Sequence, residues 1–211
     1  MLWRDSAMKA HYRSILALSD SFSTPTGSIS CGVFYYPTIE FGARFWTPAG
    51  GALAIDTAVP VPNFQDDIIL RGGMITMTLA NDPDADDAAD LHTTIYLIIS
   101  DETPSVGALI PPDGSTGTFA TFSRDWDPSC VPDSTRVFAK KILMKRQALL
   151  KSGETLVVSH RLRIQKIDQE NYLNDNNKLY WVVKTACNTG STNTYRVTAS
   201  YNMSFSGDAI G

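Results

Sequence analysis

Lys140, Lys141, Lys145, Arg146, Lys151, Arg161, Arg163 and Lys166 crowd one stretch of this 211-residue chain. Ammonium and guanidinium groups at this density suit one chemistry above others, the neutralisation of phosphates along a nucleic-acid strand. The net charge of −4 conceals a split. Residues 51–135 carry fourteen Asp or Glu against Arg71 and Arg124, whereas residues 136–184 carry eleven Lys or Arg against Glu154, Asp168, Glu170 and Asp175. If about five of the eight cations met phosphates of a single strand, the salt slope would be near −3.5, about a hundredfold loss of affinity between roughly 50 and 200 mM salt. A lone copy binds weakly under those terms, and many copies around one strand bind tightly. Cations solvating a sheet face, or pairing with a neighbour's acidic loop, are the simpler alternative.

Other chemistry is thinly represented. Asp82, Asp84 and Asp86 alternate in an acidic run and form the best metal candidate, since calcium takes carboxylates gathered on a loop. The run departs from the EF-hand pattern, with Asp87 where glycine makes the turn and Thr93 where the bidentate Glu belongs, so a solvated loop is the plainer reading. His11, His92 and His160 have no metal-ligand spacing. Cys31, Cys130 and Cys187 make neither a disulfide framework nor a zinc site. Nucleophile elbows, phosphate-binding loops and dinucleotide fingerprints do not occur, so no catalytic residues and no cofactor are expected.

The elements that must position these groups read as strands. In Tyr195–Phe205 the residues Tyr195, Val197, Ala199, Tyr201, Met203 and Phe205 share one parity, and Arg196, Thr198, Ser200, Asn202 and Ser204 the other. That period of two predicts one buried and one wet face. Leu179–Cys187 is apolar on both parities, as expected of a strand covered on both sides. The turn-forming residues 188–193 between them suggest an antiparallel pair near the centre of a sandwich. Further strands are expected over residues 28–36, 41–46, 68–79, 91–100, 119–122 and 155–167, with a bulge or bend at Gly72-Gly73. Residues 81–90 and 103–118 read as loops, and both are expected on an exterior surface. Residues 136–151 fit a helix or a strand, and strand is favoured by the neighbouring pattern. Residues 2–18 fit a short helix or an ordered arm, so residues 1–25 are expected to lead into the first strand. Eight or nine strands with long loops predict an all-β, single-domain jelly roll over residues 1–211.

The order of these segments carries a likeness to a known family. Ser134-Thr135-Arg136-Val137-Phe138-Ala139-Lys140-Lys141, then Leu156–Ile167, then Asn177-Lys178-Leu179-Tyr180-Trp181-Val182-Val183, then Tyr195–Phe205 resemble the C-terminal half of circovirus-like capsid proteins. Those proteins belong to small viruses with circular, Rep-encoding single-stranded DNA genomes. The resemblance covers about the last 80 residues well, 68–79 loosely and the first 60 hardly at all. It implies a coat protein that self-assembles into a small icosahedral shell, T=1, around single-stranded DNA, located in the virion and passing through the host nucleus. The arginine-rich arm usual in that family is not matched, since the first twenty residues hold only Arg4, Lys9 and Arg13.

A second class stays open beside it: a non-enzymatic carbohydrate- or receptor-binding sandwich, with Tyr35, Tyr36, Phe41, Phe45 and Trp46 as a stacking platform for a host glycan. The N-terminus lacks the features of a signal peptide, and no run approaches the roughly 18 apolar residues of a membrane helix, so neither secretion nor membrane insertion is expected.

Overall fold

A computed structural model of the chain describes residues 12–24, 30–38, 68–82, 89–100, 120–125, 127–128, 139–167, 178–187 and 193–207. Ten strands and no helix occur among them. Their pairing is nested. Strand β1 (Tyr12–Ser23) pairs with β10 (Thr194–Gly207), β2 (Ser30–Pro37) with β9 (Lys178–Cys187), β3 (Ile68–Asn81) with β7 (Thr155–Leu162), and β4 (Leu91–Ser100) with β6 (Lys141–Leu150), all antiparallel. First meets last and inner meets inner, as in one long hairpin. Rolling that hairpin up brings β3 against β10 and β4 against β9. Two short strands complete the edges: β5 (Ala120–Ser123) on β2, and β8 (Gln165–Ile167) on β3. The resulting sheets run β1-β10-β3-β7, with β8 beside β3, and β5-β2-β9-β4-β6. This is the jelly roll that the strand pattern predicts.

Most of the core lies between the sheets. Phe34, Ile75, Met77, Leu79, Ile95, Leu97, Trp181, Val183, Tyr195, Val197, Met203 and Phe205 form its centre. Phe22 of β1 stacks on Phe34 of β2 at 4.8 Å, joining the two sheets at one end. The outer face of the second sheet is buried as well, by Cys31, Val33, Tyr35, Tyr96, Ile98, Tyr180 and Val182. Strand β9 therefore serves two apolar layers, which is why both of its parities are apolar. The outer face of the first sheet is wet and hydroxyl-rich, with Thr198 bonded to Ser19 and Thr76 to Ser159 across strands, both at 3.0 Å. That wet face accounts for the strict alternation of β10.

Several expectations need correction. Strands β9 and β10 do not pair; they lie in opposite sheets, and residues 188–193 join the two. Each strand finds two partners elsewhere, β9 in β2 and β4, β10 in β1 and β3, so a local hairpin loses to two ladders. The expected arm or helix is a strand from Tyr12 onward, because twelve residues of β1 gain a continuous ladder with β10. Residues 155–167 form two strands, separated at Arg163 and Ile164, and not one. The ambiguous 136–151 run is a strand from Lys141 to Leu150. The short run 41–46 and the loop 103–118 lie outside the described residues, as does most of the acidic loop 81–90.

The Gly72-Gly73 step is a bulge. Ser204 pairs Gly72 while Phe205 pairs Leu70, which leaves Arg71 unmatched. Gly72 takes φ +133°, a region side chains avoid, and a Cβ on Gly73 would sit 2.6 Å from the Asn202 carbonyl. At one end, a buried amide pair ties the ends of five strands, β1, β3, β4, β6 and β10. Asn81 Nδ2 donates to the carbonyls of Leu150 (3.0 Å) and Ala89 (3.1 Å). Asn193 Nδ2 donates to Asn81 Oδ1 (2.9 Å) and also to the Ala89 carbonyl (2.7 Å), and the Asn193 main chain bonds Thr24.

Candidate nucleic-acid interface

All eight predicted cations are carried by the two edge strands β6 and β7, by β8 and by the segments flanking them. Strand β6 ends one sheet and β7 the other, and a turn at 151–154 joins them, so the set follows one flank of the sandwich. The turn closes on itself, with the Lys151 N–H donating to Glu154 Oε2 at 2.8 Å and Gly153 at φ 79°. All eight side chains are exposed.

Register distributes them over several faces. Lys145 pairs Tyr96 and Arg146 pairs Ile95, so these neighbours point to opposite sides of the sheet. Arg146 and Lys141 share the parity of the core residues Ile95 and Leu97 and border the gap between the edge strands. Arg161 lies opposite Met74 on the wet face of the first sheet, and Lys166 opposite Ile69, which the bulge at Arg71 brings to the same face. The set is contiguous in sequence but spreads along this flank over more than one face.

Lys145 is engaged within the fold. Its ammonium lies 3.5 Å from Asp127 and 5.3 Å from the centre of the Tyr96 ring, whose hydroxyl donates to the same carboxylate at 3.1 Å. With the lysine 45% exposed, such a pair contributes about 0–1 kcal/mol. Of the calcium candidates, Asp82 accepts a hydrogen bond from Arg196 at 3.3 Å, while Asp84 and Asp86 lie outside the described residues. No group of three metal-ligating side chains occurs among the described residues. The glycan platform is not available as drawn: Tyr35 and Tyr36 are 0% and 2% exposed, in the two core layers, and burial holds the Tyr35 phenol well above its ordinary pKa. Phe41, Phe45 and Trp46 lie outside the described residues.

Two further cations stand outside the predicted set of eight. Arg124 was counted with the acidic segment, and Lys184 stands inside an apolar strand. The structure brings them together, with Lys184 Nζ donating to the Arg124 carbonyl and Arg124 Nη2 to the Cys187 carbonyl at 2.6 Å. A lysine interrupting Val182-Val183-Lys184-Thr185-Ala186 was the available signal.

The fold thus belongs to the double-sheet jelly rolls, the class that includes viral coat proteins, lectin domains and cupins. No protein-family model and no curated protein matches the sequence. Among solved structures the chain is similar to the capsid protein of beak and feather disease virus, a circovirus, in a decameric form. That match has 14% identity and a TM-score of 0.45, over 94% of this chain and 100% of that one. The 60-mer form of the same protein gives 11% identity and 0.45, over 96% and 97%. A structure of broad bean stain virus gives 8% and 0.41, over 94% and 91%.

Proposed function

We propose that this chain is a viral coat protein that self-assembles into a small icosahedral shell, T=1, enclosing a single-stranded DNA genome. The nested eight-strand pairing carries the reading, because it is the jelly roll that viral coat proteins use. Two sequence features add support: the circovirus-like order of the C-terminal strands and the separation of acidic from basic segments. The cationic flank supplies weak contacts per copy, and a closed shell repeats them over one strand, so avidity makes the binding tight. The protein is a virion component in this reading, with passage through the host nucleus during assembly and a host receptor or surface glycan as a further partner.

The test is negative-stain electron microscopy of purified protein, with absorbance at 260 and 280 nm read on the same sample. Uniform closed particles with excess absorbance at 260 nm are expected. A monomer over all salt and pH conditions refutes the reading and favours a monomeric binding module.

A further inference from the structure

A cleft of about 460 Å³ opens on the outer face of the second sheet, away from the cationic flank residues Arg161 and Lys166. Its floor is a grid fixed by register. One row is Leu149, His92 and Ala186, and the next is Gln147, Thr94 and Lys184, on β6, β4 and β9 in turn. Gln147 Nε2 bonds Thr94 Oγ1 at 3.5 Å within the second row. Arg124 also lines the cleft and is clasped to β9 by the Cys187 carbonyl. Each cation therefore gives one donor to a main-chain carbonyl, and the Arg124 main chain links the two side chains.

Among the described residues that line the cleft, two are permanent cations and none is a carboxylate. A guanidinium and an ammonium lining one cleft suit a phosphate ester. The adjoining row offers something different: Leu149, 46% exposed, with the imidazole of His92 and the methyl of Ala186. An anion-binding end beside an apolar floor matches a ligand with a charged phosphate and a flat, weakly polar body. The volume falls within the usual range for small-ligand sites.

We infer that this cleft binds nucleotide units of a single-stranded nucleic acid, phosphate on Arg124 and Lys184 and base or sugar against Leu149 and His92. The inference rests on the coat-protein reading and locates its ordered DNA contact in this cleft, leaving the flank as a diffuse field. A sulfated saccharide shares the anion but would meet a largely apolar second row.

The experiment titrates the full chain into labelled oligothymidylate, by fluorescence anisotropy over a salt series. Gln147→Glu places a carboxylate in the cleft at an exposed position and keeps an acceptor for the Thr94 hydroxyl. It is expected to weaken binding about fourfold at about 0.15 M salt and to flatten the salt slope by about 0.7, the equivalent of one phosphate contact. Combined with Lys184→Gln, the loss rises to about fifteenfold and the slope change to about 1.4. Arg161→Gln with Lys166→Gln on the flank should move affinity less than the cleft pair. Unchanged affinity and slope in Gln147→Glu overturn the inference, as does a heparin fragment that senses the cleft variants when oligothymidylate does not. Closed particles with cleft-insensitive binding would sink the cleft alone. Cleft-dependent binding by a protein that never forms particles would instead sink the coat-protein reading.

Discussion

Replacing Gly73 by alanine should cost the fold far more than one methyl group suggests. The added Cβ would lie 2.6 Å from the Asn202 carbonyl oxygen and 2.8 Å from Met203 Cα, both main-chain atoms of β10. Ordinary contact begins at 3.4 Å, so β10 must retreat by some tenths of an ångström from β3. That shift disturbs a ladder between central strands and the packing of Met203, which is fully buried. Overpacking of this kind costs about 1–3 kcal/mol, and main-chain opposition on both atoms puts Gly73→Ala near 3. Urea unfolding at matched protein concentration reads this directly. At about 2–4 °C per kcal/mol for a chain of this size, the melting temperature should fall by about 6–12 °C. Gly72→Ala is the companion: its Cβ meets only the Leu162 carbonyl at 3.7 Å, so the cost there is backbone strain, about 1–3 kcal/mol. A Gly73→Ala protein within about 0.5 kcal/mol of the parent would refute the bulge geometry.

Asn81→Ala should destabilise by about 3 kcal/mol in the same assay, because it strands the buried Leu150 carbonyl and removes the Asn193 amide's acceptor. A loss under about 1 kcal/mol would dissolve the clamp. Lys145→Ala should change stability by less than about 1 kcal/mol, the pair with Asp127 being exposed, and a larger loss would mark Lys145 as structural. Burial raises the phenol pKa of Tyr35 and of Tyr195, so each stays protonated in the fold where the unfolded chain has ionised. Stability is therefore unaffected below about pH 10 and falls above it, by about 1.4 kcal/mol per pH unit for each phenol. Tyr35→Phe and Tyr195→Phe should each shallow that alkaline slope in urea titrations. An unaltered slope in both would contradict the burial.

Legibility in the sequence followed how many faces of each strand are wet. Strand β10 alternates without exception because its outer face meets water, and β9 gave away its two apolar layers by carrying none of that alternation. Partner choice was not legible. The turn residues 188–193 serve a hairpin and a crossing between sheets equally well, and only the ladders to β2, β4, β1 and β3 decide. Strand β1 hid behind apolar residues at Tyr12, Ile15, Leu16 and Leu18, whose spacing also fits a helix; pairing with β10 overrides local preference. Charge counting found the cations of the flank but not their faces, since Lys145 and Arg146 are adjacent in sequence and opposite in space. Arg124 and Lys184 entered that count with no sign that they meet, being 60 positions apart and brought together by the β5-β2-β9 order.

Sedimentation of the purified protein over a concentration series tests the central claim most directly. The account predicts a narrow boundary with the mass of a closed icosahedral shell, about 1.4 MDa for sixty copies of a 23.1 kDa chain, in equilibrium with few intermediates. A single species at the mass of one chain, unchanged by concentration, salt or added oligonucleotide, would contradict it.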